Sequence, residues 1–472
     1  MNTTTSVKQV RHVSTSTVLP ATQRKDASTQ NQRIELSPSD LRSLRRLYAQ
    51  VGLLFAKPPE SKTNRILISH LKCCLSKALD SLFPLAGRLA MTKHDEDGTI
   101  SFYINCNSVG AEFIHSVAAD VSLEDLLKPT YTPEIINNFF TLDGIPNYEG
   151  LSLPLLSVQV TELIDGIFVG VSMNHIVCDC TSFWNFFKLW SQISRGCLTN
   201  HHIQHPPPPV NLEPRWLPET TNFPIHLPFS SIDKLFVDRY VPDPLLRERS
   251  FYFTPEKIAK LKAKVNSDHN HTSTISALQA HIWIAITRDR NLQPNESVCH
   301  QVVICFRDRL DPPLGKGYFG NSIQMASATV TAGDLLVKGD KFGALLLNQA
   351  IESCGNVEIQ RYWQSWVENP VLPSIYDLIS PTNLWVVGST RFDPYVNDFG
   401  WGAPLAVRTG SNFKYEGRIM TDPGPSKGVI TVNICLPFNI LQVLENDVAF
   451  MEIALLHQGN IFVKAIVCFC FV

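Results

Sequence analysis

The chain has 472 residues, 44% of them hydrophobic, with 26 Phe, 8 Trp and only 18% charged residues. That composition supplies large cores and excludes a disordered chain, and the length allows two or three domains. A formal net charge of -2 leaves no basic excess that would make a nucleic acid or an anionic membrane the main partner.

The first residues are rich in Ser and Thr and carry no acid before Asp26, as in a transit peptide, but they lack a hydrophobic signal core. Val10 to Leu19 alternates like a first strand, so this segment is expected to belong to the folded body. No run reaches the roughly 18 apolar residues of a membrane span. The protein is therefore expected in the cytosol, where the sequons at Asn270 and Asn295 have no meaning.

Ser37-Pro38-Ser39-Asp40 is a helix start: Ser37 caps, Pro38 suits the first helical position, and Asp40 faces the positive end of the dipole. Leu41, Leu44, Leu47 and Tyr48 continue at helical spacing. A second helix runs through Leu71, Leu75 and Leu79 and stops near Phe83-Pro84-Leu85. Thr99 to Cys106 alternates as a strand. Ile167 to Met173 is apolar at nearly every position, as in a strand buried on both faces. Thr181 to Ile193 reads as a helix carrying Phe183, Trp184, Phe187 and Trp190.

His201, His202 and His205 flank Pro206 to Pro209, a run that tends to an extended, semi-rigid form. It reads as the connector (201–225) between an N-terminal half (1–200) and a C-terminal half (226–453). The three histidines have no carboxylate or cysteine cluster beside them, so a solvated linker is the better reading than a metal site. Beyond it come a strand at Ser250 to Phe253, a capped helix start at Thr254-Pro255-Glu256, and an apolar helix from Thr272 to Thr287. A strand at Val302 to Phe306 precedes Arg307-Asp308-Arg309. Val429 to Leu436 alternates as a late strand, and Leu441 to Met451 reads as a helix. The loops Pro129 to Gly150 and Gln360 to Pro381 have no clear pattern. Strands and helices mix in both halves, which predicts an α/β fold.

The 12 cysteines form no CxxC pair and no disulfide-like spacing. Cys73, Cys74, Cys178, Cys180, Cys305 and Cys435 read as buried thiols of a reducing compartment. No ligand cluster implies a metal.

Two motifs carry chemistry. His175-Ile176-Val177-Cys178-Asp179 ends the buried strand, where ligand sites of α/β folds gather. A neutral imidazole, with a pKa of about 6.5, can take a proton from a hydroxyl or amine that attacks an activated acyl carbon. A core histidine with satisfied hydrogen bonds is the bland alternative. Asp179 either orients the ring or binds an arginine; Arg307 and Arg309 are candidates, and a buried carboxylate must be paired. Cys178 or Cys180 beside His175 offers a rival nucleophile. The second motif, Asp398-Phe399-Gly400-Trp401-Gly402, is a tight glycine loop locked by an aromatic residue. It reads as structural, with Asp398 as a secondary candidate proton acceptor. No serine-hydrolase elbow, Walker loop or dinucleotide fingerprint is present.

With these motifs in this order, the chain resembles the plant acyl-CoA-dependent acyltransferases of the BAHD (HxxxD-type) family, in a poorly characterised branch. Supporting stretches are Leu36-Ser37-Pro38, Phe83 to Leu89, Arg307-x-Arg309-Leu310-x-Pro312-Pro313 and Tyr318-Phe319-Gly320-Asn321. The resemblance spans about Val10 to Ile453. It implies two chloramphenicol-acetyltransferase-like domains with mixed sheets flanked by helices, joined by a crossover. It implies a monomer with no tightly bound cofactor and no metal, which takes acyl-CoA as co-substrate and a small-molecule alcohol or amine as acceptor.

By the same resemblance His175 is the general base, Asp179 pairs with Arg307, and Gly400, Trp401 and Gly402 shape a loop distant from the ring. Three departures stand out. Cys180 replaces the usual Gly, which would cost roughly 1–2 kcal/mol if the position needed positive φ. Gly388-Ser389-Thr390-Arg391 lacks the Trp of shikimate-type members, leaving Arg391 as a candidate substrate contact. Residues 454–472 extend past the usual end. A CoA-independent lyase on the same scaffold and a non-catalytic binding protein are the competing readings.

Overall fold

The computed structural model describes residues 8–22, 32–58, 64–199, 211, 216–217, 221–266, 272–315 and 317–456. His201, His202, His205, Pro206 to Pro209, Asn270 and the tail from 457 lie outside the described residues.

The N-terminal half runs β1 (Arg11–Val18), β2 (Gln32–Glu35), α1 (Pro38–Leu41), β3 (Ala49–Ala56), α2 (Asn64–Ser81), β4 (Arg88–His94), β5 (Thr99–Cys106), β6 (Ala111–Val117), α3 (Leu123–Leu127), β7 (Leu156–Glu162), β8 (Gly166–Met173) and α4 (Cys180–Thr199). The C-terminal half runs β9 (Leu246–Phe253), α5 (Pro255–Val265), α6 (Thr274–Asp289), β10 (Ser297–Cys305), β11 (Ile323–Thr331), α7 (Ala332–Glu352) and α8 (Asn356–Glu368). It continues with β12 (Asn383–Val387), β13 (Ala406–Thr409), β14 (Arg418–Pro423), β15 (Ile430–Pro437), α9 (Phe438–Asn446), α10 (Val448–Met451) and β16 (Leu455–Leu456).

A six-stranded sheet, ordered β1-β6-β7-β8-β3-β13, forms the N-terminal half with a three-stranded sheet β2-β5-β4. A seven-stranded sheet, ordered β11-β10-β12-β14-β15-β9-β16, forms the C-terminal half. Both large sheets are mixed: β6 pairs parallel with β7, and β12 pairs parallel with β10 and β14. Strand β13 crosses the division. Its residues lie far beyond the connector, yet Ala406 to Thr409 pair antiparallel with Leu54 to Val51 of β3. The C-terminal half thus completes the N-terminal sheet.

Every residue of β8 is buried, as the continuous apolar run predicts for a central strand. It feeds α4, which packs on α2; the Trp190 indole Nε1 donates to the Leu71 carbonyl at 3.2 Å. Two expected helices are shorter than their apolar spacing. The cap at Ser37 forms, with Asp40 returning to the Ser37 N–H, but α1 ends at Leu41, and Leu44, in a turn, and Leu47, bridged to Pro146, are buried without a helix. The helix expected from Leu441 to Met451 breaks at Asp447, whose carboxylate caps α10. The patternless Gln360 to Pro381 begins inside α8. Cys74, Cys178 and Cys435 are buried as expected; Cys73 is exposed, and Cys180 and Cys305 are half-buried.

Candidate active site

Asn174 stops β8. Its side-chain oxygen accepts from the Ile176 N–H at 3.0 Å and turns the chain, while its amide nitrogen donates to the Asn147 carbonyl at 2.8 Å. Asn147 answers by accepting the His175 N–H on its side-chain oxygen at 2.9 Å. The backbone of His175 is therefore clamped on both sides. The Asn321 amide nitrogen donates to the His175 carbonyl at 2.7 Å and to Asp40 Oδ1 at 2.9 Å. Asp40 also accepts from the Ser37 hydroxyl at 2.6 Å and the Asn321 N–H at 2.7 Å. Burial pushes the Asp40 carboxyl up to about 6, so it is ionised at neutral pH.

The His175 ring keeps one unsatisfied atom in the interior. Its Nδ1 is shut off from water without a hydrogen bond, and so is Asn321 Oδ1. Burial, then the positive charge of Arg46, lowers the pKa of His175 below 6.5. The imidazole is neutral at neutral pH.

Asp179 faces away from the ring. It caps α4 by accepting the Ser182 N–H at 3.0 Å. It receives Arg307 Nη2 at 3.0 Å, with Nη1 on its second oxygen, and the Ser322 N–H at 3.1 Å. Burial pushes this carboxyl up, but Arg307 and the donated hydrogen bonds outweigh burial and hold it below its usual range. The Arg307 guanidinium reaches on to the Gly320 carbonyl at 3.1 Å. Gly320 has φ +145°, a conformation that favours glycine. One buried ion pair, 1% and 6% exposed, thus ties the motif loop to the C-terminal half.

Cys180 is the first residue of α4 and is not among the described non-glycine residues with positive φ, which are Ser108, Leu142 and Asn291. The conformational cost of replacing Gly there does not arise. Burial pushes the thiols of Cys178 and Cys180 well above their usual range, so neither is a thiolate and the Cys-His alternative falls.

The second motif sits at the other end of α4. Asp398 Oδ1 accepts three backbone N–H groups, those of Gly400, Trp401 and Gly402, at 2.7, 3.1 and 2.9 Å. Phe399 is fully buried, edge-on to Trp190 at 4.9 Å and stacked with Trp401 at 5.5 Å. The Ser194 hydroxyl donates to the Phe399 carbonyl at 2.8 Å. Gly400 has φ +106°, and a Cβ there would meet Leu198 at 2.6 Å. At ~1.5 Å per residue, the stretch of α4 from Asp179 to Ser194 is about 22 Å long. Asp398 as a second proton acceptor at His175 does not fit this geometry; it is committed to its own loop.

A Transferase family model matches residues 8–451. BAHD acyltransferase DCR of Arabidopsis thaliana is 31% identical over 86% of this chain and 84% of its own length. The chain belongs to the BAHD family. An uncharacterized acetyltransferase of Arabidopsis thaliana is 39% identical over 89% of this chain and 94% of its own. The two-domain α/β BAHD fold also matches F. graminearum TRI101, crystallised with coenzyme A and deoxynivalenol. The TM-score is 0.69 at 16% identity, covering 90% of this chain and 99% of that one.

In this BAHD member the geometry brings together His175, Asp179 and Arg307 and separates them from Asp398, Gly400, Trp401 and Gly402. Arg391 stands in solvent, its side chain 74% exposed and 4.0 Å from the equally open Asp308. Sequence reasoning missed Asn147, which has no motif, gave Asp40 only a place at a helix start, and gave Asn321 no role, although both lie in or beside stretches that carry the family resemblance. Among the described residues no group of three or more His, Cys, Asp or Glu could hold a metal ion, and no helix is long and apolar enough to cross a membrane.

Proposed function

We propose that this BAHD protein transfers an acyl group from an acyl-CoA thioester to a hydroxyl or amine of a plant specialised metabolite, with His175 as general base. The observation that supports the reading is the neutral imidazole, its pKa lowered by burial and its backbone held by Asn147 and Asn321. Nε2 takes the proton as the acceptor oxygen or nitrogen bonds to the acyl carbon. The carbon–sulfur bond then breaks, and the CoA sulfur leaves with that proton. No acyl-enzyme is needed. Asp179, Arg307, Gly400, Trp401 and Gly402 have structural roles in this scheme, and Arg391 can meet only the solvent end of a substrate. The enzyme works as a cytosolic monomer without bound metal or cofactor. Family membership and the coenzyme A complex of a protein of the same fold support the donor class.

The test is release of free CoA thiol from acetyl, malonyl, coumaroyl and benzoyl CoA, each with pooled phenolics and amines, beside His175→Ala. Acceptor-dependent release that disappears in the variant is expected. Turnover without CoA would replace the reading with a lyase, and ligand binding by folded protein without turnover would replace it with a binding protein.

A further inference from the structure

Helices α2 and α4 pack together, and two hydrogen bonds between them fix how they sit. The Trp190 indole donates to the Leu71 carbonyl at 3.2 Å, and His70 Nε2 meets the Ser194 hydroxyl at 2.9 Å. Beyond these bonds Lys77 of α2 reaches Cys197 of α4, its ammonium donating to the Cys197 sulfur at 3.4 Å. Both residues are exposed. They lie at the end of α4 that carries the second motif loop, where Ser194 holds the Phe399 carbonyl and Leu198 faces Gly400.

Other lysines answer to oxygen. Lys93, Lys128, Lys264 and Lys338 pair with carboxylates. Lys77 turns to a thiol, and that hydrogen bond holds its pKa above the usual range. Cys74 is buried, and burial pushes its thiol up to about 12, which leaves it inert. Cys73, four residues before Lys77, is exposed, but Cys197 is the thiol that Lys77 touches. A nucleophilic sulfur and an amine 3.4 Å apart on two packed helices are close enough to hand over a group without diffusing.

We propose that Cys197 and Lys77 form a self-acylation site that takes its acyl group from acyl-CoA. The Cys197 thiol gives its proton to solvent, and its sulfur bonds to the thioester carbonyl carbon. The carbon–sulfur bond to CoA breaks, and the CoA sulfur takes up a proton and leaves as free thiol. Lys77 then releases its ammonium proton to solvent, and its amine bonds to the same carbon. The bond to Cys197 breaks, and the second amine proton passes to the Cys197 sulfur. The products are an amide on Lys77, the original thiol and free CoA, with no oxidant or reductant used. Acylating the sulfur also removes the contact that holds the Lys77 proton, so the first step prepares the second. The relay shares its donor with the His175 reaction but does not use His175, so the two readings stand or fall separately.

The experiment is incubation of the full chain with acetyl CoA in a phosphine reductant, followed by peptide mass spectrometry. Lys77 is expected to gain acetyl roughly tenfold or more faster than Lys188, exposed on α4, and Lys262, exposed on α5. Cys197→Ser should bring Lys77 down to the rate of those two, and Cys73→Ser should change nothing. Lys77→Arg should leave the acetyl group on Cys197, where hydroxylamine removes it as it removes thioesters but not amides. The modification should persist in His175→Ala, in which transfer to an acceptor is lost. A Lys77 rate no greater than that of Lys188 and Lys262 would overturn the proposal. So would Lys77 acetylation that survives Cys197→Ser, that depends on Cys73 or that vanishes in His175→Ala, and so would a Lys77→Arg variant with no acetyl on Cys197.

Discussion

The two ends of α4 carry an acid each, and they use it in opposite ways. At the N-terminal end Asp179 is spent on a guanidinium from the other half and on the first turn of the helix. That frees the adjacent imidazole, which keeps an unsatisfied buried nitrogen. At the C-terminal end Asp398 closes on three N–H groups of its own loop, and Phe399 and Trp401 seal it with aromatic contacts. The first end is architecture built around an incomplete group; the second is architecture alone.

The comparison can be broken most severely at His175. His175→Ala should lower kcat/KM by about 10²–10⁴-fold with circular dichroism unchanged; a folded variant of near-native activity would dismiss the base. Arg307→Met should come next, because it strands Asp179 in the interior. A loss of about 3–5 kcal/mol in denaturant unfolding is expected, partly restored when Asp179→Leu is added. At the other end Asp398→Ala should cost less, about 1–3 kcal/mol, for the N–H groups it leaves unpaired. Its kcat per folded molecule should match wild type, whereas a second proton acceptor would lose orders of magnitude.

The pH profile of kcat/KM sharpens the contrast. Only the neutral ring accepts a proton, and burial and Arg46 place its pKa below 6.5. Activity should hold as pH falls to 6.5 and decline only further down; a decline centred above 6.5 would contradict the buried setting. The same shift weakens the fold in acid, because below 6.5 the unfolded chain binds a proton that the native ring refuses. The smallest effect is expected for Cys180→Ala, whose turnover should stay within about twofold of wild type if the thiol is no nucleophile.

Much of this was legible along the chain. Strand β8 and helices α2 and α4 follow their apolar periods because each helix makes its contacts mainly on one recurring face and β8 on both, whereas α6 is apolar nearly throughout and is buried all round from Ser276 to Thr287. The cap at Ser37 is local chemistry. The apolar spacing misleads between Arg42 and Leu47, where Leu44 and Leu47 are buried without a helix to bury them, and at Asp447, whose carboxylate starts a new helix instead of continuing the old one.

By itself the sequence determined the α/β class, the strand that delivers His175, and the two motifs that place the chain among BAHD proteins. Those properties depend on side-chain period and local capping, which are written in neighbouring residues. Only the tertiary structure decided which acid serves which partner. Asn321 reaches Asp40 and His175, Arg307 reaches Asp179, and β13 completes the sheet begun by β3. Such bonds join residues more than a hundred positions apart, and no local pattern records them.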